Sequence, residues 1–176
     1  MGLRSWPSTV LEWLIFRLRI GRFGGLPPRS APRRLVFVCT GNICRSPYAE
    51  ALAHSCGLEA VSAGIDTTPG LPAHPQAIAE ARARGIDLSG HRTASWADVR
   101  LRNGDMVIAV ELRHLLAVQR RVREAGCQIA LMSSLSQDCF AIVRDPYGRE
   151  PAVFQAVFDL IEKLLRDMQR NWHSDH

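Results

Sequence analysis

The chain has no run of about 18 apolar residues, the length a helix needs to cross a bilayer, so no membrane-spanning helix is expected. A leader is not expected either. The apolar stretch 10–20 is broken by Glu12, Arg17 and Arg19, and no small-residue cleavage site follows it. The cysteines are odd in number and scattered (Cys39, Cys44, Cys56, Cys127 and Cys139), which argues against a secreted disulfide framework. Cys39 and Cys44 have no second Cys or His pair at ligand spacing, so no zinc site is expected. The G-x-x-x-x-G-K-[ST] loop of ATP-binding proteins is missing, and so are internal repeats. These gaps leave a reducing, cytoplasmic setting as the expectation, with no metal and no cofactor.

What remains is 176 residues, 47% hydrophobic and 22% charged, enough for one domain with a real core. The net charge of +5 is unevenly placed. Residues 1–34 carry seven arginines against Glu12, a net of +6, and the rest of the chain nets −1. The main domain, 35–176, is therefore not expected to bind nucleic acid.

The arm, 1–34, has its own pattern. Leu11, Leu14, Ile15 and Leu18 form one helical stripe, and "GRFGGLPPRSAPRR" reads as a linker. One reading is an amphipathic helix on an anionic membrane surface, giving peripheral membrane contact. The other is a helix packed on the domain, or a disordered extension. The second is preferred, because a stripe this short is a weak signal.

From residue 35 strands and helices alternate. Strands are expected at 35–39, 59–64, 105–110 and 127–132, and helices at 46–56, 74–85, 112–125 and 151–171. Alternation implies a single three-layer α/β/α domain around a central four-stranded parallel sheet, with the helical or disordered arm outside it. In such sheets ligands sit outside the carboxyl ends of the strands. Cys39 lies at one such end.

The stretch "VFVCTGNICRSPYAEALA" (36–53) carries the chemistry. Between a strand and the first turn of a helix, the amides of Thr40 to Arg45 have no helical partners and can converge on an anion. Gly41 permits a tight turn, and Asn42 tolerates left-handed backbone angles. Cys39 begins the loop, so its sulfur points at the anion site. The amides, the helix dipole and Arg45 would hold it as a nucleophilic thiolate. Arg45 can grip two phosphate oxygens, and Ser46 can donate to the sulfur as it leaves. Cys44 either packs in the loop or forms a reversible disulfide with Cys39. Attack on a phosphate monoester also needs an acid for the leaving oxygen. Asp145 of "RDPYGRE" (144–150) is the candidate, with Tyr147 as an aromatic wall.

"VCTGNICRSP" with a distant "DPYG" resembles the low-molecular-weight protein tyrosine phosphatases over roughly residues 35–170. The resemblance implies a metal-independent phosphotyrosine phosphatase working through a phosphocysteine at Cys39. Arg45 would hold the phosphoryl group, and Asp145 would be first acid, then base. Thr40, Gly41, Asn42, Ile43, Cys44, Ser46 and Tyr147 would line the substrate site, while Ser62 and His91 would support the loop. Where many relatives carry Met-Asp after the third strand, this chain has Val110 and Glu111, whose longer reach puts the loop's positioning in question.

Two relatives on the same scaffold give alternatives. Arsenate reductases relay a disulfide through cysteines after the third strand, where this chain has none. Cys127 comes later and reads as core. Protein arginine phosphatases tend to carry Thr where Ile43 stands, and Ile43 makes a drier wall that favours phosphotyrosine. A catalytically silent phospho-residue binding module ranks last, because all three reacting groups are present. The expected partner is a tyrosine-phosphorylated protein, such as a membrane tyrosine kinase of bacterial polysaccharide export, and a monomer is expected. For the arm, the expected outcome is equal co-sedimentation with anionic lipid vesicles with and without residues 1–34. Loss of binding on truncation would establish the membrane reading.

Overall fold

The computed structural model describes residues 32–136 and 142–173. The arm's stripe, nearly all of its linker and Cys139 lie outside the described residues.

Four strands form one sheet: β1 (Arg34–Cys39), β2 (Ala60–Gly64), β3 (Asp105–Ala109) and β4 (Gln128–Leu131). The order is β2-β1-β3-β4 and every pairing is parallel. β1 and β3 are buried along their whole length, as continuous apolar runs covered on both faces should be. The helices are α1 (Arg45–Ser55), α2 (Pro75–Ala83), α3 (Leu112–Glu124) and α4 (Pro151–His173). Short 3-10 turns occupy Trp96–Asp98 and Met132–Leu135.

Strand alternation sends successive side chains to opposite faces. Leu35, Phe37 and Cys39 face a large core built with Tyr48 and Ala49 of α1, Ala77 and Ala81 of α2, and Phe154, Phe158 and Ile161 of α4. Val36 and Val38 face a smaller core with Val107 and with Val118 and Val122 of α3. These are the three layers expected. Tyr48 stacks on Phe158 with ring centroids 3.7 Å apart, and its hydroxyl donates to Glu162 Oε1 at 2.5 Å. At the amino ends of the strands, Arg34 grips Asp105 with two buried bonds of 3.0 and 2.6 Å.

The order places the site. Chain progression reverses between β1 and β3, so a crevice opens outside their carboxyl ends. Cys39 is the last residue of β1, and Glu111 follows β3 by two positions. Small differences from expectation lie at element ends. α1 starts at Arg45 rather than Ser46, and α2 stops at Ala83, with Gly85 at φ 76° beyond it.

Gly64 ends β2 directly against the loop. A Cβ there would lie 2.6 Å from the Thr40 carbonyl oxygen and 2.8 Å from Thr67 Cγ2. Gly64→Ala is therefore expected to cost about 1–3 kcal/mol of stability and to displace Thr40. Chemical denaturation, together with phosphate affinity, checks both effects.

Candidate active site

The loop from Cys39 to Ser46 joins β1 to α1. Its carbonyls are tied outward one after another. Cys39 O accepts from Ile65 N–H at 3.0 Å, Thr40 O from Asp66 N–H at 3.0 Å, and Ile43 O from His74 N–H at 2.8 Å. Asn42 O bonds His91 Nε2 at 2.8 Å. With the carbonyls committed outward, the amides are left to line the inside, which is the requirement for an anion cradle.

The left-handed turn falls on Asn42, at φ 55°, not on Gly41. Asn42 is the residue expected to tolerate such angles, while a Cβ at Gly41 would meet only the Ile43 side chain, at 3.5 Å. Asn42 is buried and uses its whole side chain. Its Oδ1 accepts from Ala94 N–H at 2.8 Å, and its Nδ2 donates to Ser62 Oγ at 2.7 Å and Ser46 Oγ at 3.0 Å. Ser62 in turn donates to Glu50 Oε2 at 2.5 Å. The direction of these bonds follows from the carboxylate, which can only accept. Ser46 thus receives from Asn42 and keeps its own proton for Cys39 Sγ, 2.9 Å away. Asn42 N–H also donates to Cys39 Sγ, at 3.3 Å. Two donors aim at one sulfur.

Arg45 is 2% exposed. Its Nη1 bonds Glu111 Oε1 and reaches Val143 O at 3.4 Å, and its Nη2 meets Asp145 Oδ2 at 2.8 Å. Its Nε is buried with no partner among the described residues. A guanidinium carries five N–H donors; these bonds use three, and an entering oxyanion would find Nε–H and the second Nη2 hydrogen available. Asp145 comes from the loop before α4 and is brought to the loop by this contact. It occupies a guanidinium edge that a phosphoryl group would take, so substrate entry has to dislodge it.

Glu111 resolves the doubt raised by its length. It bonds Arg45 and also accepts two 3.1 Å bonds from Arg113. Burial works against its charge, but the bonds from Arg113 and Arg45 prevail and hold its carboxyl below the usual range. Cys44 is buried, and burial beside Cys39 pushes its thiol up to about 12. It stays protonated at neutral pH, and both sulfurs are free thiols. Tyr147 is 62% exposed and meets His74 edge-on. A turn closes behind it, with Arg149 N–H donating to Pro146 O at 3.0 Å and Gly148 at φ 68°. Positive φ at that position is the type II requirement.

Sequence reasoning missed Glu50, His74 and His114. His114 is fully buried at the start of α3. Its Nδ1 accepts from Glu111 N–H at 3.1 Å, so its Nε2–H donates to Thr40 Oγ1 at 2.9 Å. The capping spacing Glu111-x-x-His114 was the available signal. Cys127 is half-buried and packs against the smaller core. It precedes β4, at the opposite end of the sheet from Cys39, so it cannot relay a disulfide to that sulfur.

A nucleophile-and-arginine anion loop at the switch point of a doubly wound sheet, with a carboxyl group across it, defines a cysteine-dependent phosphatase. The model of the low molecular weight phosphotyrosine protein phosphatase family matches residues 34–175. Low molecular weight protein-tyrosine-phosphatase Wzb of Escherichia coli K12 is 32% identical over 134 residues, 75% of this chain and 90% of that one. The arginine phosphatase YwlE of Geobacillus stearothermophilus superposes with a TM-score of 0.70 at 28% identity, covering 82% of this chain and 95% of that one. The tyrosine phosphatase Wzb from Escherichia coli K30, solved with sulfate, gives 0.69 at 28% identity, covering 79% and 98%. The chain belongs to the low molecular weight phosphotyrosine protein phosphatase family. It is a cysteine-dependent enzyme that needs no metal, and the arsenate reductase alternative is not favoured.

Burial holds the His114 imidazole down at about 4, with Arg45 and Arg113 adding to the effect against Glu111. An unfolded histidine titrates near 6.5. Between those values the unfolded chain takes up a proton that the folded one refuses. Stability should therefore be full above about pH 6.5 and fall towards pH 4, by up to about 3 kcal/mol. Urea unfolding at pH 7 and 4.5 checks it, and His114→Gln should flatten that dependence.

Proposed function

We propose that Cys39, Arg45 and Asp145 carry the reaction in named roles. Cys39 Sγ attacks the phosphorus of a phosphotyrosine, the S–P bond forms as the P–O(aryl) bond breaks, and Asp145 gives its proton to the departing phenol oxygen. Water then attacks the phosphocysteine and passes a proton to the Asp145 carboxylate. The S–P bond breaks, the thiolate leaves towards the Ser46 hydroxyl, and inorganic phosphate departs. Atoms balance as ester plus water giving phenol plus phosphate.

One observation carries this reading. The Asp145 carboxylate lies 2.8 Å from the guanidinium that grips the phosphate. An acid there is within reach of the oxygen leaving a phosphorus seated on the loop. The amides of Thr40, Gly41, Ile43 and Cys44 would cradle the equatorial oxygens. Ile43 and Tyr147 would flank a flat ring, and His91 and Ser62 would steady the loop through Asn42. An apolar Ile43 favours an aryl ester over a charged phosphoguanidine, the kind of substrate the arginine phosphatase's name implies.

The partner we favour is a tyrosine-phosphorylated protein in the cytoplasm, a membrane tyrosine kinase of polysaccharide export among the candidates. Support comes from relatives named as protein-tyrosine phosphatases. No helix among the described residues is long and apolar enough to cross a membrane.

Turnover of para-nitrophenyl phosphate in the presence of a chelator tests the mechanism. Cys39→Ser should abolish it and leave no phosphoenzyme. Asp145→Ala should lower kcat by roughly 10²–10⁴. Asp145→Asn should bind inorganic phosphate at least as tightly as the wild type, because it removes the carboxylate that competes for Arg45. Undiminished turnover in Cys39→Ser, or a preference for phosphoarginine over phosphotyrosine, would overturn the reading.

A further inference from the structure

His74 sits at the N-cap of α2 and does four things with one residue. Its backbone N–H donates to Ile43 O at 2.8 Å. Its Nδ1 accepts from Gln76 N–H at 3.2 Å, capping the helix. Its ring stacks on Phe154, centroids 5.5 Å apart at 20°. Its other side meets Tyr147 edge-on, centroids 5.6 Å apart at 75°. Phe154 is fully buried in the main core, whereas Tyr147 is mostly exposed on a turn. An exposed aromatic on a turn has many rotamers open to it, and among the described residues His74 is the only ring contact Tyr147 makes.

We propose that His74 is the positioning residue that sets the width of the aryl slot, fixing Tyr147 through its ring and Ile43 through its backbone. The inference rests on the reading of Ile43 and Tyr147 as the walls of that slot. The path is continuous: core Phe154, then His74, then the rim. It ends on the residue whose N–H donates to Asp145 Oδ1 at 3.2 Å, so the turn carrying the acid is steadied too. An ordinary N-cap explains only the Gln76 bond. Serine, aspartate or asparagine would serve for that, and a capping side chain has no need of a ring between two aromatic partners. The consequence is selectivity for flat esters. A wall held upright favours a ring sliding beside it, while an alkyl phosphate gains nothing from it.

His74→Asp separates the roles, because aspartate keeps the cap and loses the ring. For this variant we expect a thermal midpoint lowered by a few degrees at most, the loss of the stacking on Phe154, and an unchanged Ki for inorganic phosphate, since the loop's own bonds remain. The KM for para-nitrophenyl phosphate should rise about two- to tenfold, the range of one aromatic pair. The kcat/KM ratio of aryl to alkyl phosphate should fall by the same factor. Tyr147→Ala should give a similar rise, and the double variant no further one, because both act through one contact. An aryl KM unchanged in a normally stable His74→Asp overturns the inference. So does an equal rise in the phosphate Ki, which would mean that the loop itself had been damaged. The wild type reports on the underlying reading independently: without aryl phosphate turnover there, the proposed function fails before any variant is made.

Discussion

A buried guanidinium organises this molecule. Arg45 is almost wholly withdrawn from water, and a charge so placed is tolerated only with close, well-oriented partners. It has two carboxylates, Glu111 from the end of β3 and Asp145 from the loop before α4, and a backbone carbonyl at Val143. Two separate stretches of chain, one after β3 and one before α4, are therefore drawn to one side chain in the first turn of α1. Nε is satisfied by none of them, and one hydrogen of Nη2 is also left over. A cation held this way offers donors already oriented towards an arriving anion, which would have to displace only Asp145 from the Nη2 edge.

The sheet makes this convergence cheap. Because β1 and β3 are neighbours running the same way, their carboxyl ends open at one crevice, and the residues just beyond them need no long excursion to meet. The bonds tying the loop's carbonyls come from the chain after β2 (Ile65, Asp66), from the start of α2 (His74) and from the loop before the Trp96–Asp98 turn (His91). All four lie in the one connection between β2 and β3, and the chain beyond β3 and β4 adds His114 on Thr40 and Asp145 on Arg45. The topology thus puts a ring of supports around a loop of eight residues, and Asn42 can hold left-handed geometry because its side chain is bonded in three directions.

Much of this was legible in the sequence, and the rest was hidden for identifiable reasons. The buried runs at β1 and β3 and the helical periods gave the layers. The Cys39-to-Ser46 spacing gave the loop, because few other purposes place a thiol, an arginine and a serine between a strand and a helix. What stayed hidden were residues whose role depends on distant partners. His74 reads as an ordinary polar residue before Pro75 until Phe154 and Tyr147 are brought to its two sides. His114 reads as one polar residue on an amphipathic helix, yet it is fully buried and wired to Thr40. Glu111 looked like a departure from a shorter carboxylate. Only its two arginine partners reveal that the extra methylene is accommodated. The left-handed angle at Asn42 was legible from its residue type, but not the three side-chain bonds that hold it.

The site separates into two parts with different mechanical character. The loop is held by many bonds, from backbone amides and from the side chains of Ser62, His91 and His114. The rim, Tyr147 and the turn from Pro146 to Arg149, rests on a few contacts and lies largely in solvent. In the reaction proposed, charge stabilisation at phosphorus would depend on the first part, and discrimination between esters on the second. Shared supports are few: His74 touches Ile43 in the loop and Tyr147 on the rim, and Asp145 joins Arg45 to the turn. Such an arrangement lets the rim change with the partner protein while the chemistry stays fixed, because a lost rim contact leaves the loop's carbonyl and amide bonds intact. At His74 the two sides are held by different atoms, the loop by the backbone N–H and the rim by the ring, so a side-chain substitution there reaches the rim and spares the loop.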